Sequence, residues 1–254
     1  MKLKVLTFNI HKGVGLHRRA GLSEIRDFIR STEADLVFLQ EVMGLNIKRP
    51  DLFPDQNFES QYEYLADEIW SHYSYAKNAV YDHGHHGNVI LSKYPIVKWN
   101  QEDCSTNVFE QRGILSCKIS IPDEISGQQY FIQAYCIHFN IHFGRFVQYM
   151  AMARKLEREC TQNSSVIIAG DFNDWNKSAS KVMEKVLDLK EAHKLSTGHY
   201  AKTFPSFFPM LSLDRTYFKN LKLESCRILQ DSNYHISDHL PVLTQFEISS
   251  KNKN

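Results

Sequence analysis

The sequence predicts a single α/β domain, richer in strands than in helices, on three observations. Short apolar runs with β-branched residues recur along the whole chain. Amphipathic helical stretches are interspersed among them, and no repeat, linker or low-complexity tract divides the chain. With 254 residues, 43% of them hydrophobic, the chain is long enough to bury one large core. Residues 1–248 are expected to form that domain, and 249–254 a polar C-terminal tail.

The elements follow in order. Leu3 to Phe8 alternates as a strand does and runs into the polar loop Asn9-Ile10-His11-Lys12-Gly13. From Leu22 to Thr32, the residues Leu22, Ile25, Phe28 and Ile29 keep helical spacing, with Ser23 as the expected N-cap. Asp35 to Gln40 is a buried strand closing on Glu41, and residues 44–60, with Gly, Asn and Pro, read as a long loop. Tyr62 to Trp70 is an amphipathic helix, followed by a strand near Tyr73–Lys77. His83 to Asn88 reads as a polar, glycine-containing turn feeding the strand Val89–Ser92. Residues 113–121 and 129–137 pair as a hairpin across Ile125–Gln128. A loop from His138 to Gly144 precedes a helix over Phe146–Arg158. Val166 to Ala169 is too short for a helix and suits a buried strand; Ala179 to Leu189 is helical. Residues 200–212 form a proline- and aromatic-rich loop between that helix and the strand Leu213–Phe218, and Leu240–Ile248 closes the fold.

Bulk properties narrow the function. Thirty basic and 29 acidic residues leave a net charge of +1, which is not the balance of a protein that holds nucleic acid by bulk charge, although it allows a local basic cleft. The five cysteines, Cys104, Cys117, Cys136, Cys160 and Cys226, have no disulfide-framework or metal spacing and are expected as free thiols in a reducing compartment. Met1 leads directly into a strand, with no secretory apolar region and no run of membrane-spanning length, so the expected location is cytoplasmic.

Polar residues collect where the apolar strands end. Gly170 breaks one run, and Asp171, Asn173 and Asp174 follow at once. A carboxylate and a carboxamide two residues apart at a strand end can face one crevice, where hard oxygen donors suit Mg²⁺ or Ca²⁺ or hold a water in line with phosphorus. The same residues would also serve as an Asx turn capping a helix. Asn9, Glu41, His138, Asp214 and Asp238-His239 occupy equivalent positions on other strands. Singly, each has a plain structural role, as a strand-end carboxylate, a satisfied core histidine or an Asx cap. Brought to one rim, they would bind a divalent cation and perform acid/base chemistry on a phosphate ester.

Six segments in fixed order carry a resemblance. They are Leu6-Thr7-Phe8-Asn9-Ile10, Leu39-Gln40-Glu41-Val42, His86 to Ser92, Gly170-Asp171-Phe172-Asn173, Leu213-Asp214-Arg215 and Ile236 to Val242. The chain resembles the endonuclease/exonuclease/phosphatase family, with the fold of pancreatic deoxyribonuclease. Asn78-Ala79-Val80-Tyr81, His85 to Asn88 and Thr203-Phe204-Pro205 are similar to the small bacterial members often encoded beside a cardiolipin synthase. The resemblance implies a four-layer α/β/β/α sandwich of two packed mixed β-sheets. It implies that Glu41 and Asn9 bind Mg²⁺ (Mn²⁺ as the alternative), with Asp238 as a further metal-side ligand. It assigns Asp171 and Asn173 to the nucleophilic water and the scissile phosphate, and His239, oriented by Asp214, to charge stabilisation or acid/base work. His138 would contact the phosphate, with Asn88 and Arg112 as further phosphate contacts.

The expected activity is metal-dependent hydrolysis of a phosphodiester by in-line attack of water. A nuclease or broad phosphodiesterase leads, a phospholipid or small-molecule phosphoesterase is the alternative, and a non-catalytic phosphate-binding module stands behind both. No stable protein partner is implied, and a monomer is expected. Beyond His17-Arg18-Arg19 and Lys48-Arg49 there is no basic cluster to grip a duplex, and the loop Phe139 to Arg145 is less polar than the resemblance leads one to expect. His83, His85 and His86 fit no closed zinc spacing and read as a loop rimming the pocket. Phe204, Phe207 and Phe208, with Pro205 and Pro209, would be either a wall for an apolar or base moiety or a loop packed on the core.

Overall fold

Two six-stranded sheets lie face to face in this computed structural model, which describes residues 1–15, 21–53, 60–123, 127–141, 143–230 and 236–248. The first sheet runs, edge to edge, β11 (Lys222–Ile228), β12 (Val242–Glu247), β1 (Lys2–Asn9), β2 (Leu36–Asn46), β4 (Gly84–Ser92) and β3 (His72–Tyr81). The second runs β5 (Ile96–Asp103), β6 (Gly113–Pro122), β7 (Gln129–His138), β8 (Ser165–Asp171), β10 (Asp214–Lys219) and β9 (Lys190–Glu191). Both sheets are mixed. β1–β2 and β7–β8 are parallel and the other pairs antiparallel. The parallel pairs are joined by crossovers holding α1 (Leu22–Ser31) and α3 (Arg145–Glu159).

The two-residue period of the strands sorts the apolar side chains into three layers of core. Val5, Phe38 and Ile90 meet Leu115, Ala134 and Ile167 between the sheets. Their neighbours Leu6, Val37 and Leu39 point the other way, onto Ile25, Phe28 and Ile29 of α1 and Leu65 of α2 (Gln61–Ala66). On the far side, Tyr135, Ile137 and Ile168 pack under Tyr149 and Met152 of α3 and under Val182 and Met183. Helix, sheet, sheet and helix therefore stack in that order. All five cysteines are free.

Several local expectations are corrected. α1 starts after Gly21 with no side-chain cap, while Ser23 lies inside the helix and donates to Glu24 Oε2 at 2.9 Å. His83 to Asn88 is not a turn, because β4 is already paired from Gly84 with both β2 and β3. β2 continues past Glu41 into the region expected as loop. The helix expected over Tyr62–Trp70 ends at Ala66, where Asp67 turns to positive φ. Ala179–Leu189 is an α-turn, α4 (Ser178–Ser180), running into π-turns over Lys181–Val186. β5 and β11 were not expected; both are edge strands with mostly exposed side chains, which leaves their sequences little apolar alternation. The short β9 and α5 (Ala192–Thr197) were also unforeseen. His17-Arg18-Arg19, residues 124–126 of the hairpin tip, and the tail 249–254 lie outside the described residues. No described helix is long and apolar enough to cross a membrane.

Candidate active site

The topology brings several strand ends to one rim. In the second sheet His138, the last residue of β7, stands in register with Asp171, the last of β8, and Asp214 opens β10 directly opposite Asp171. Three polar side chains thus meet on adjacent strands without any loop to place them. Gly170 makes the approach possible: its φ is +149°, and a Cβ there would lie 2.0 Å from the Ile137 carbonyl oxygen. From the first sheet, β1 delivers Asn9 beside Gln40, and Asn9 Nδ2 donates across the sandwich to Asp171 Oδ2 at 3.2 Å. Glu41 sits in a β-bulge, since Gln40 and Glu41 fall between the pairs Leu39–Val89 and Val42–Gly87, and its φ is +58°. Bulges re-aim side chains next to functional sites, and a left-handed glutamate is a strained backbone that surrounding structure must hold. Asn173 is left-handed too, at φ +46°.

Asp171 is the centre of the cluster. Its Oδ1 accepts from the Asn173 backbone N–H at 2.9 Å, and Oδ2 lies 3.6 Å from His138 Nε2 and 3.7 Å from His239 Nε2. Those two separations are too long for direct hydrogen bonds and leave room for a bridging water or substrate oxygen. Burial raises the Asp171 carboxyl to about 6, with Asp214 adding to the rise and His239 opposing it.

The two imidazoles are set in opposite states. Burial works against a charge on His239, but Asp214 outweighs it and lifts the imidazole to about 10. Asp214 Oδ2 accepts from His239 Nδ1 at 2.8 Å and from Thr203 Oγ1 at 2.6 Å. His138 has no such partner; burial, with Arg112 nearby, pushes it well below the ordinary histidine range, so it is a neutral imidazole. Asn173 Nδ2 donates to the Phe139 carbonyl at 2.9 Å, which leaves its Oδ1 for another partner.

Two clusters hold donors of the kind that bind metals. Among the described residues, Asp171, Asp214 and His239 form a set with ligand atoms within 4.8 Å of one another. His239 Nδ1 is already engaged by Asp214, and an imidazolium repels a cation, so this set does not fit a metal. Glu41 does. Its carboxyl is half-buried, a cost to ionisation that the positive charge beside it, Lys12 above all once His138 is neutral, overcomes, holding it below the ordinary carboxylate range. Its counter-charge is Lys12 Nζ, 3.7 Å away. Among the described residues no donor hydrogen-bonds that carboxylate, so its lone pairs are available to a hard divalent ion. Asn9 Oδ1, which takes the His11 N–H at 3.1 Å, keeps one lone pair. Asp238 is half-exposed, 3.7 Å from His11 Nδ1. His11 and Lys12, both at positive φ, thus link the Asp238 and Glu41 sides of the rim.

Asn88 stands apart from its expected role. Both of its amide hydrogens go to second-sheet carbonyls, Gly113 at 3.1 Å and Cys136 at 3.3 Å. Only an acceptor oxygen remains, which suits the tie between sheets better than a phosphate. Arg112 is the stronger phosphate candidate: its Nε is buried and, among the described residues, has no hydrogen-bond partner. The histidine trio does not converge. His85 Nδ1 bonds Tyr75 Oη at 2.9 Å, His83 packs on the Tyr81 ring, and His86 lies near Glu41 with burial lowering it to about 4. Phe204 covers the His239 ring, with centroids 4.9 Å apart, while Phe207 and Phe208 are exposed.

Four supporting residues escaped the sequence reading. Lys12 and Thr203 give no signal in sequence because their partners are distant. Ser237 donates to the Asn9 carbonyl at 2.7 Å and accepts from the His239 N–H at 3.2 Å. Arg215 binds Asp174 Oδ2 at 2.8 Å with both side chains fully buried, bracing the chain just beyond Asn173.

Comparison with known proteins bears on family and fold. A sequence model described as the Endonuclease/Exonuclease/phosphatase family matches residues 6–239. The protein YbhP of Escherichia coli, uncharacterized itself, is 39% identical over 250 residues, covering 96% of each chain, and YbhP of Shigella flexneri matches equally. An endonuclease/exonuclease/phosphatase from Beutenbergia cavernae superposes with a TM-score of 0.77 at 16% identity, covering 97% of this chain and 72% of that one. A family protein from Leptotrichia buccalis gives 0.74 at 19% identity, with 97% and 100% covered. A mannosyl-6-phosphatase from Bacteroides thetaiotaomicron gives 0.68 at 17%, again with 97% and 100% covered. At those identities the structural likeness speaks for the fold alone.

Proposed function

The chain belongs to the endonuclease/exonuclease/phosphatase family, and from that premise we propose that it is a divalent-metal-dependent hydrolase cleaving a phosphodiester by in-line attack of water. Members of this family hydrolyse phosphate esters, which sets the reaction class. The observation that carries the finer reading is Asp171 Oδ2 poised 3.6 and 3.7 Å from two imidazole Nε2 atoms of opposite protonation.

On this reading Asp171 is the base and His239 the acid. His239 already holds its proton at neutral pH and cannot take another, whereas a carboxyl at about 6 is mostly ionised there and close to the ideal for a base. A water held on Asp171 Oδ2 forms the new P–O bond and gives its proton to that oxygen. The bond to the leaving oxygen breaks as His239 Nε2 protonates it. The proton on Asp171 then returns to His239, 3.7 Å away, and both residues are restored. Neutral His138 and the Arg112 guanidinium hold phosphoryl oxygens. A divalent ion held by Glu41 and Asn9, with Asp238 beside them, would withdraw charge from the phosphoryl group as a Lewis acid.

Nucleic acid is the first diester the sequence suggests. The net charge of +1 offers no bulk attraction to a polyanion, so such binding would be confined to the site, with a salt dependence set by the few phosphates contacted there. The test of the reaction itself is turnover of bis-p-nitrophenyl phosphate. EDTA should abolish it, Mg²⁺ or Mn²⁺ should restore it, and Glu41→Gln should lower it about a hundredfold or more without unfolding the protein. Turnover indifferent to both EDTA and Glu41→Gln would overturn the proposal.

A further inference from the structure

The described surface keeps most of its exposed phenylalanines in one place. Six are exposed, and five of them, Phe109, Phe143, Phe146, Phe207 and Phe208, sit on connections at one end of the second sheet. Strand register shows which end it is. Gly113 opens β6 beside the His138 end of β7, since Ile114 pairs with Ile137, and Asp103 closes β5 opposite Gly113. The β5–β6 connection therefore lies at the same end as the chain leaving His138, the chain leaving Asp171, and the loop entering Asp214. That is the rim of the candidate active site.

Hydrogen bonds fasten these loops together. Asn140 Nδ2 donates to Thr106 Oγ1 at 2.8 Å and the Ile141 N–H to Glu110 Oε1 at 2.8 Å, tying the Phe109 loop to the Phe143 loop. Arg145 stacks on the Trp175 ring at 3.9 Å, joining the Phe143 side to the chain beyond Asp171. On the Asp238 side of the rim, Ser206 N–H donates to the Asp238 carbonyl at 2.7 Å and anchors the Phe207–Phe208 tip. Phe109 is 93% exposed, Phe143 87% and Phe207 70%, values at which an aromatic ring contributes nothing to the core. Exposed rings gathered at the end of the sheet that holds the candidate site mark an interaction surface rather than scattered apolar residues.

Resting on the hydrolase reading above, we infer that this rim seats the protein on a phospholipid bilayer, with anionic headgroups beside the pocket and a membrane phospholipid as the diester presented to Asp171 and His239. Charge selects this occupant. The connections 139–144 and 198–213 hold no carboxylate, Glu110 accepts from the Ile141 N–H and Asp174 is paired with Arg215; exposed Asp103 and half-exposed Asp238, at the same end, are outnumbered by Lys177, Lys181 and Lys202. Lys177 and Lys181, beyond Asp171, and Lys202, ahead of Asp214, are exposed. Apolar tips interleaved with lysines match the boundary between headgroups and acyl chains. Single-stranded nucleic acid would also stack on aromatics, but it needs a continuous track of cations along its backbone, which three separated lysines do not make. No described helix can cross a bilayer, so the contact is interfacial and reversible.

The test uses the full chain, vesicles of phosphatidylglycerol with phosphatidylcholine, and the triple variant Phe109→Ser, Phe143→Ser, Phe207→Ser. These side chains are exposed and lie outside the catalytic set, so folding and turnover of bis-p-nitrophenyl phosphate should stay unchanged. Co-sedimentation of the wild type with anionic vesicles, weakened on the order of a hundredfold in the triple variant, with a parallel loss of vesicle phospholipid hydrolysis, is the expected result. Absent vesicle binding, binding indifferent to the three substitutions, or loss of single-stranded DNA binding instead of vesicle binding would each overturn the inference. Vesicle binding by a wild type that fails to turn over the soluble diester would instead strike the hydrolase reading and leave the docking surface standing.

Discussion

Replacing Asp171 by asparagine should make the protein more stable while removing its activity. Asp171 is fully buried, and its carboxyl is raised from 3.8 to about 6. The sign follows from linkage. A folded-state value above the unfolded one means that the protonated group stabilises the fold; that contribution is complete below 3.8 and is lost as pH rises through about 6. About two pKa units at 1.36 kcal/mol each give ~3 kcal/mol of stability withheld at neutral pH by keeping this carboxylate ionised. Asp171→Asn releases that penalty but sets an amide N–H₂ against Asn9 Nδ2, 3.2 Å away, at a cost of about 1 kcal/mol. The net expectation is ~2 kcal/mol in favour of the variant. Urea denaturation in EDTA, at about pH 7.5 and about pH 4.5, measures it. The advantage should shrink by on the order of 2 kcal/mol at the lower pH, where the wild type has recovered most of its own contribution. A variant less stable than wild type at pH 7.5, or an advantage independent of pH, would refute the reasoning.

Three further outcomes follow from the same site. For a soluble diester, kcat/KM should rise with pH through about 6 as Asp171 ionises and fall through about 10 as His239 loses its proton; a profile flat from pH 5 to pH 9 would contradict the acid/base assignment. Asp214→Asn should move the alkaline limb to lower pH, because His239 loses the partner that favours its proton, whereas a purely structural role for Asp214 would lower the rate and leave the limb in place. Arg215→Met should cost ~3–5 kcal/mol in urea denaturation by leaving Asp174 buried without its counter-charge, and adding Asp174→Leu should recover much of the loss; a cost below about 1 kcal/mol would show that the pair is not needed.

The strand-end polar residues were legible because each follows an apolar run that could only be a buried strand. Val166 to Ala169, then Gly170 and Asp171, is the clearest case: the run fixes the strand, the glycine marks close approach, and the carboxylate marks the rim. Glu41 was legible as a residue but not as a conformation, since nothing local announces the bulge that turns it; the cause is pairing with β4, some 47 residues later at Asn88. Asn88 misled for a related reason. A carboxamide in a polar stretch looks available, and only the distant carbonyls of Gly113 and Cys136 show that its donors are taken. His83 to Asn88 read as a turn because polar and glycine residues dominate it, yet pairing on both sides makes it strand. Edge strands β5 and β11 left little trace, because exposed side chains carry no period.

The place of β12 has a consequence in time. This last strand of the described chain lies inside the first sheet, between β11 and β1, and Ser237 just before it bonds Asn9 across 228 residues of sequence. On the ribosome, β1 emerges long before β12 and waits with one flank unpaired until residues 242–247 arrive. His239 comes out just ahead of that segment and joins the fold with it. A nascent chain that has not reached residue 242 lacks the closed sheet, and one that has not reached residue 239 lacks the imidazole as well. On the hydrolase reading proposed above, a chain stopped short of that segment is silent rather than partly active.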